Sequence, residues 1–218
     1  ASKLAKGDKK YLQEEEAFKK VRKTLEDGNR AILTELTDEE KLIIKDAFLL
    51  TMKPILYVAN VAEDEVGKDD NQYVKLVKEH AKKENSEVVV LSAKLEEELS
   101  SLEGEDKAEM LEAMGIEESG LDKVIKKSYS LLGLISFLTA GKKETRAWTI
   151  KKGTKAPQAA GKIHTDFERG FIKAEVISYD DLVKSGSEAK AKELGLIRLE
   201  GKDYIMQDGD VVESKFNV

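Results

Sequence analysis

The 218-residue chain contains no cysteine, which removes disulfides, thiolate metal sites and cysteine nucleophiles together. Histidine is nearly as scarce: His80 and His164 are the only two, too few for a histidine-based zinc site. Aromatic residues make up 6% of the chain against 37% charged residues, a balance that suits a soluble, helix-rich protein. No apolar run approaches the roughly 20 residues that span a bilayer. The Lys-rich amino terminus also lacks the apolar segment of a secretory signal. These absences point to the cytoplasm and away from a membrane. A further absence concerns chemistry. The phosphate-cradling pattern Gly-x-x-x-x-Gly-Lys-Ser/Thr does not occur. Gly195 to Lys202 has one residue too many and continues with Asp203, and Gly153 to Lys162 is further off. Neither can form a loop whose backbone amides hold phosphates. No catalytic residue and no metal ligand is therefore assigned.

What is present is charge, unevenly spread. The chain carries a net charge of −6, which argues against indiscriminate nucleic-acid binding by the whole molecule; no DNA specificity is expected. From Lys142 to Lys173, however, nine Lys and Arg stand against three Asp and Glu. A basic module on an acidic body can still meet a phosphate backbone. Arg146, Lys151, Lys152 and Lys155 are its candidate RNA contacts, against the plainer reading of a solvated face.

The length allows one large domain or two modest ones. Residues 1–50 read as a helical arm. After a turn at Lys6-Gly7-Asp8, a helix runs to Glu26 and is stopped by Asp27-Gly28. Tyr11, Phe18, Val21 and Leu25 form a coiled-coil seam along it. That seam needs a partner from an upstream segment or another chain. Thr37 to Glu40 is a capping box opening a second helix with Leu42, Ile43, Ala47 and Leu50 as its apolar side.

Ile55 to Ala59, entered through Pro54, reads as a fully buried strand of a parallel sheet. Asn60 to Glu63 lie at its carboxyl end, where open α/β sheets place ligands. The pattern recurs at Glu87 to Leu91, ending in Ser92-Ala93-Lys94. Between the two strands, Asp69 to Asn85 is a helix with Tyr73, Leu76, Val77 and Ala81 on one face, and His80 beside that row is a surface or half-buried structural residue. Leu95 to Met114 is helical with a break near Gly104, and Glu96, Glu97 and Glu98 form a solvated face. Leu121 to Leu132 is amphipathic, with Val124, Ile125, Ser128, Leu131 and Leu132 inward.

From Leu134 the texture changes to short strands and turns. Strands are expected at Ile135 to Thr139, Thr145 to Ile150, Phe171 to Ile177, Gly201 to Met206 and Val211 to Val218. Lys142-Lys143 makes the hairpin turn between the first two. Pro157 to Ile163 is a short helix of small residues, and Asp180 to Leu194 is a polar one. His164-Thr165-Asp166 reads as a helix-ending hydrogen-bond motif rather than an acid/base cluster. The whole suggests an α+β module of the β-grasp kind.

Two successive strands ending in Asn-x-x-acid and Ser-Ala-Lys form the base-recognition half of a Ras-like nucleotide site. The run Lys53 to Glu63 closely resembles the YchF family of translation-factor-class P-loop NTPases. So do Ser92-Ala93-Lys94, Arg146-Ala147-Trp148-Thr149, Ala156 to Gly161, Ile163 to Glu168 and Asp208-Gly209-Asp210. The resemblance runs from about residue 37 onward and is most specific from Leu134. Residues 1–36 match only in character, as the returning limb of a helical hairpin insertion. It implies an α/β fold: the carboxyl-terminal part of a Ras-like P-loop NTPase domain with a helical arm, followed by a TGS domain. The expected domains are 1–50 (arm), 51–133 (nucleotide-binding part) and 134–218 (TGS). The resemblance further implies a ribosome-associated ATPase using ATP or GTP with magnesium, of which this chain is a carboxyl-terminal fragment. Partners would be the ribosome or ribosomal RNA, with protein contacts through the arm. The fragment alone is expected to hold no cofactor and to be inactive.

Ras-like proteins read guanine with Asn-Lys-x-Asp, whose Asp accepts from guanine N1 and N2. Here Val61 replaces the Lys and Glu63 the Asp, so guanine selectivity is expected to be lost. Asn60 is the expected base-edge residue through adenine N6 and N7, with Val61 and the Ser92-Ala93 backbone lining the pocket. The competing expectation is a non-catalytic RNA- or protein-binding module.

Overall fold

The computed structural model describes residues 9–141 and 144–217. The turn at Lys6 to Asp8 and the hairpin residues Lys142 and Lys143 lie outside the described residues. The chain divides between Lys127 and Ser128 into two compact units.

In the first unit, α1 (Lys9–Glu26) ends where Gly28 takes φ 77, a left-handed conformation that costs glycine nothing. The capping box at Thr37 and Glu40 is present and opens α2 (Asp38–Lys45). The two helices pack around Ala17, Val21, Ala31 and Ile44, and Lys20 bonds Glu40 across them at 2.7 Å. Only Val21 of the expected seam is buried; Phe18 and Leu25 are 37% and 39% exposed. The helix thus turns Ala17 and Val21 inward, and α2 of the same chain supplies cover for them. α2 itself is shorter than expected. It stops before Ala47 and Leu50, and it buries Ile44 while Leu42 stays 68% exposed.

β1 (Leu56–Asn60) and β2 (Glu87–Leu91) pair in parallel from Leu56↔Glu87 to Asn60↔Leu91. α3 (Gln72–Lys83) forms the crossover. β1 is not the fully buried strand expected, for Val58 is 49% exposed. Among the described residues this sheet has only two strands, so one edge of each lies unpaired. The inward row of α3 is Val74, Val77 and Ala81, while Tyr73 and Leu76 face outward. α4 (Ala93–Ser100) and α5 (Gly104–Ala113) are broken apart as expected near Gly104. α6 (Gly120–Leu132) leaves Ile125 and Leu132 exposed rather than inward.

The second unit is a five-stranded mixed sheet. In chain order its strands are β3 (Leu134–Ala140), β4 (Thr145–Lys151), β5 (Phe171–Ser178), β6 (Arg198–Glu200) and β7 (Asp210–Phe216). Across the sheet the order is β4-β3-β7-β5-β6, with β3 and β7 parallel and the other pairs antiparallel. α7 (Ala156–Ile163) lays Ala156, Ala159 and Ala160 on Phe137, Ile150 and Val176 to make the core. Alanines let the helix axis approach the sheet closely, and the large side chains come from the strands. α8 (Thr165–Arg169) is capped by His164 Nδ1, which accepts from Asp166 N. The expected helix over Asp180 to Leu194 is two pieces, α9 (Tyr179–Ser185) and α10 (Glu188–Glu193), separated by Gly186 at φ 75. The strand expected at Gly201 to Met206 falls earlier, at Arg198–Glu200. Ile205 makes only a single bridge to Lys155, because this segment turns to bring Tyr204 onto Asp210.

Candidate functional site

The parallel pairing brings the two strand-end motifs side by side. Asn60, the last residue of β1, stands opposite Leu91, the last of β2. The ladder continues one step further through Val61 N, which donates to Leu91 O at 2.8 Å. Beyond it, two side-chain bonds tie the motifs together. Ala93 N donates to Asn60 Oδ1 at 2.9 Å, and Lys94 Nζ donates to Glu63 Oε2 at 2.8 Å. An α-helix leaves its first amides without intrahelical partners, so Asn60 caps α4 from across the sheet. Ser92, at the turn into α4, is buried. The bond from Lys94 to Glu63 and the attraction of that carboxylate hold the Lys94 ammonium above its ordinary pKa.

Beside β1 lies a cleft of 430 Å³ whose lining includes Asn60, Val61, Ala62, Tyr73 and Val77. Glu63, Ser92 and Ala93 do not line it. Asn71 caps α3 through Tyr73 N and Val74 N, and its amide donates to Glu65. That bond, with a second from Ala62 N, depresses the Glu65 carboxyl. The floor of the site rests on a close approach. Gly120 sits so near β2 that a Cβ there would lie 2.4 Å from Leu91 Cβ. Glu96, expected in a solvated face, instead accepts from Gly120 N at 2.7 Å and Leu121 N at 3.0 Å. It anchors α6 under the end of β2. A glutamate early in a helix carries no sequence signal for this role, since only the fold brings α6 to it.

The groups gathered here are hydrogen-bond donors and acceptors. The Asn60 amide nitrogen offers donors and its oxygen keeps a second lone pair, while Glu63 accepts from Lys94 through Oε2 and keeps Oε1. Among the described residues no group of three His, Asp or Glu side chains could hold a metal ion.

All four basic candidates in the second unit are exposed. Arg146 lies 4.3 Å over the Trp148 ring and Lys155 is bonded to Asp203 at 2.7 Å. Side chains alternate along a strand, so Arg146 and Lys151 of β4 point to opposite faces of the sheet. None of these positions excludes an RNA contact; Lys151 and Lys152 are the two of the four that are adjacent in the chain.

Architecture and strand-end geometry together define an α/β protein of the kind seen in solved YchF structures. The structure of the Schizosaccharomyces pombe YchF GTPase superposes with a TM-score of 0.83 at 34% identity, covering 94% of this chain and 55% of that one. A GTP binding protein from Pyrococcus horikoshii OT3 shares the fold at 21% identity and a TM-score of 0.55. Residues 134–217 match the family model YchF-GTPase_C, "Protein of unknown function (DUF933)". Among curated relatives, the ribosome-binding ATPase YchF of Bacillus subtilis is 54% identical over all of this chain and 60% of its own length. The protein of that name from Escherichia coli O157:H7 is 47% identical over 97% of this chain and 58% of its own. Obg-like ATPase 1 of Rattus norvegicus is 42% identical over 97% of this chain and 54% of its own. The chain belongs to the YchF family, and it spans between 54% and 60% of the length of these curated relatives.

Proposed function

We propose that this chain supplies base recognition and a ribosome-facing module to a cytoplasmic nucleoside triphosphatase that prefers ATP to GTP. Its phosphate and magnesium chemistry would come from residues outside these 218. The observation that carries the reading is the cross-linking of the two strand-end motifs through Asn60–Ala93 and Glu63–Lys94. With one lone pair of Oδ1 taken by Ala93, Asn60 still presents its amide nitrogen to N7 and the remaining lone pair to a 6-substituent. Adenine offers an amino donor at that position and guanine an acceptor, so the pairing favours adenine. Glu63, longer by one methylene than the Asp of Asn-Lys-x-Asp and drawn through Oε2 to Lys94, is poorly placed for the guanine N1 and N2 donors. An unmatched polar contact buried under the bound base costs about 1–3 kcal/mol, which translates to an ATP preference of roughly 5- to 150-fold.

The second unit supports the TGS part of the reading. A five-stranded sheet with its first and last strands parallel at the centre and α7 packed on it is in keeping with a β-grasp module. In this reading Lys151 and Lys152 are its ribosomal RNA contacts. The bound ribosome is taken from the names of the relatives.

The deciding experiment is a titration of fluorescent ATP and GTP analogues. It is run on this chain and on a version extended by the upstream part of its relatives' length. The extended protein should bind ATP more tightly, and the chain alone neither. A GTP preference overturns the account of Asn60 and Glu63. Binding by neither protein leaves a non-catalytic scaffold. Changing Lys151 and Lys152 to Glu should weaken ribosome co-sedimentation and reduce its salt dependence; unchanged binding removes the RNA contact.

A further inference from the structure

The first unit carries an open apolar groove of 620 Å³, formed by α2 and the segment that leads from it towards Pro54. Its floor is Ile44, part of the core shared by α1 and α2. Its walls include Leu42, Phe48, Leu49 and Met52, and two of these stand out into solvent, Leu42 at 68% and Phe48 at 84% exposure. Single exposed apolar residues need no explanation, but a contiguous set around a groove does.

Phe48 adds an independent observation. Its φ is 47, a left-handed conformation in which a bulky residue is strained. Glycine would hold the same turn after α2 freely. The chain keeps a phenylalanine there and turns it outward, so the ring is presented rather than packed.

The rim is cationic. Lys41, Lys45 and Lys53 border the groove with a single acid, Asp38. That acid is already bonded to Lys41 at 2.9 Å, and no carboxylate among the described residues pairs with Lys45 or Lys53. The groove's volume falls within the range of about 300–1,000 Å³ typical of ligand sites. It offers no convergent polar groups to orient a small molecule.

We infer that this groove docks an amphipathic helix of a partner protein, its apolar face on Phe48 and Leu42 and its acidic flank on Lys45 and Lys53. The inference is independent of the nucleotide reading, since none of its residues belongs to the strand-end site.

The test uses this chain, its version extended by the upstream part of its relatives' length, and two labelled helical peptides in fluorescence anisotropy. Both carry Leu and Phe on one face; one has Glu on the other face, and its twin has Lys. The acidic peptide should bind at least about tenfold more tightly at low salt, with the gap narrowing as salt rises. Phe48→Gly relieves the backbone and removes the ring. It should leave thermal stability intact and weaken the acidic peptide by at least about tenfold. Lys45→Glu with Lys53→Glu should reverse the preference between the twins. Equal binding of the twins overturns the inference, as does binding of neither or indifference to Phe48→Gly. Concentration-dependent dimers abolished by Phe48→Gly would make the groove a contact between copies of this chain and would also overturn it. Binding by this chain that the extended version lacks would make the groove a contact within the longer protein and would overturn the inference.

Discussion

Gly120 is the position where one methyl group should do most damage to the candidate site. An alanine Cβ there would lie 2.4 Å from Leu91 Cβ and 2.8 Å from Glu96 Oε1, distances no relaxed structure tolerates. Leu91 is the last residue of β2 and adjoins Ser92, while Glu96 accepts from the first two amides of α6. Forcing extra volume into a packed contact costs about 1–3 kcal/mol. Displacing Glu96 from Gly120 N and Leu121 N adds about 1–2 kcal/mol for a disrupted cap. Alanine's better helix propensity returns at most about 1 kcal/mol. Gly120→Ala should therefore destabilise the first unit by about 1–4 kcal/mol, against the roughly 5–15 kcal/mol that holds a domain together. Urea unfolding followed by far-ultraviolet circular dichroism measures this, with Gly115→Ala as the comparison. Gly115 sits at φ 68 with open space around it, so alanine meets only backbone strain there, about 1–2 kcal/mol. The reasoning fails if Gly120→Ala costs no more than Gly115→Ala. In the extended protein Gly120→Ala should also weaken nucleotide binding, because Leu91 can yield only by moving the Ser92-Ala93 turn.

Other perturbations report on the surrounding framework. Tyr57 O–H donates to Glu84 at 2.7 Å, and this bond, with the Arg30 charge, holds the Glu84 carboxyl below its ordinary value of 4.5. A carboxyl depressed in the folded state contributes stability above its unfolded pKa and loses it as pH falls through the folded one. Thermal unfolding should therefore show a drop in Tm below about pH 4.5 that Glu84→Gln flattens; parallel curves would exclude the bond. Burial, and then the bond to Asp210, push the Tyr204 phenol up to about 12. Its contribution is complete below pH 10 and is lost as pH rises through about 12, so tyrosinate absorbance should show a late step that Tyr204→Phe removes. Thr37→Ala breaks the capping box and should cost about 0.5–2 kcal/mol, read as a lower urea midpoint for the first unit; no change would mean that α2 does not need its cap.

What could be read from the amino acids alone were the local features. Thr37 and Glu40 form a capping box because the two side chains and the two amides they satisfy lie within one turn. β2 spans Glu87–Leu91 as expected, because a short β-branched run between Ser86 and Ser92 has few alternatives. His164 ends one helix and caps the next for the same local reason. The family could be recognised because its motifs are contiguous words. The amphipathic faces were less secure. Residues one apart on a helix are separated by about 100°. The sequence therefore could not choose between Tyr73–Leu76 and Val74–Val77 on α3, or between Phe18–Leu25 and Ala17–Val21 on α1. The choice depends on what lies opposite, which is a long-range fact.

The tertiary structure alone decided the contacts that cross the chain. Asn60 reaches Ala93 and Glu63 reaches Lys94 only because β1 and β2 pair in one register. Glu96 became a cap, and Gly120 a position with no room for a side chain, only once α6 was set under β2. Arg146 and Lys151 were split to opposite faces by strand alternation, although they are neighbours in a list of basic residues. Chemistry spelled within a few residues is set by local geometry. Chemistry that needs two distant segments to meet depends on packing, which no single segment encodes.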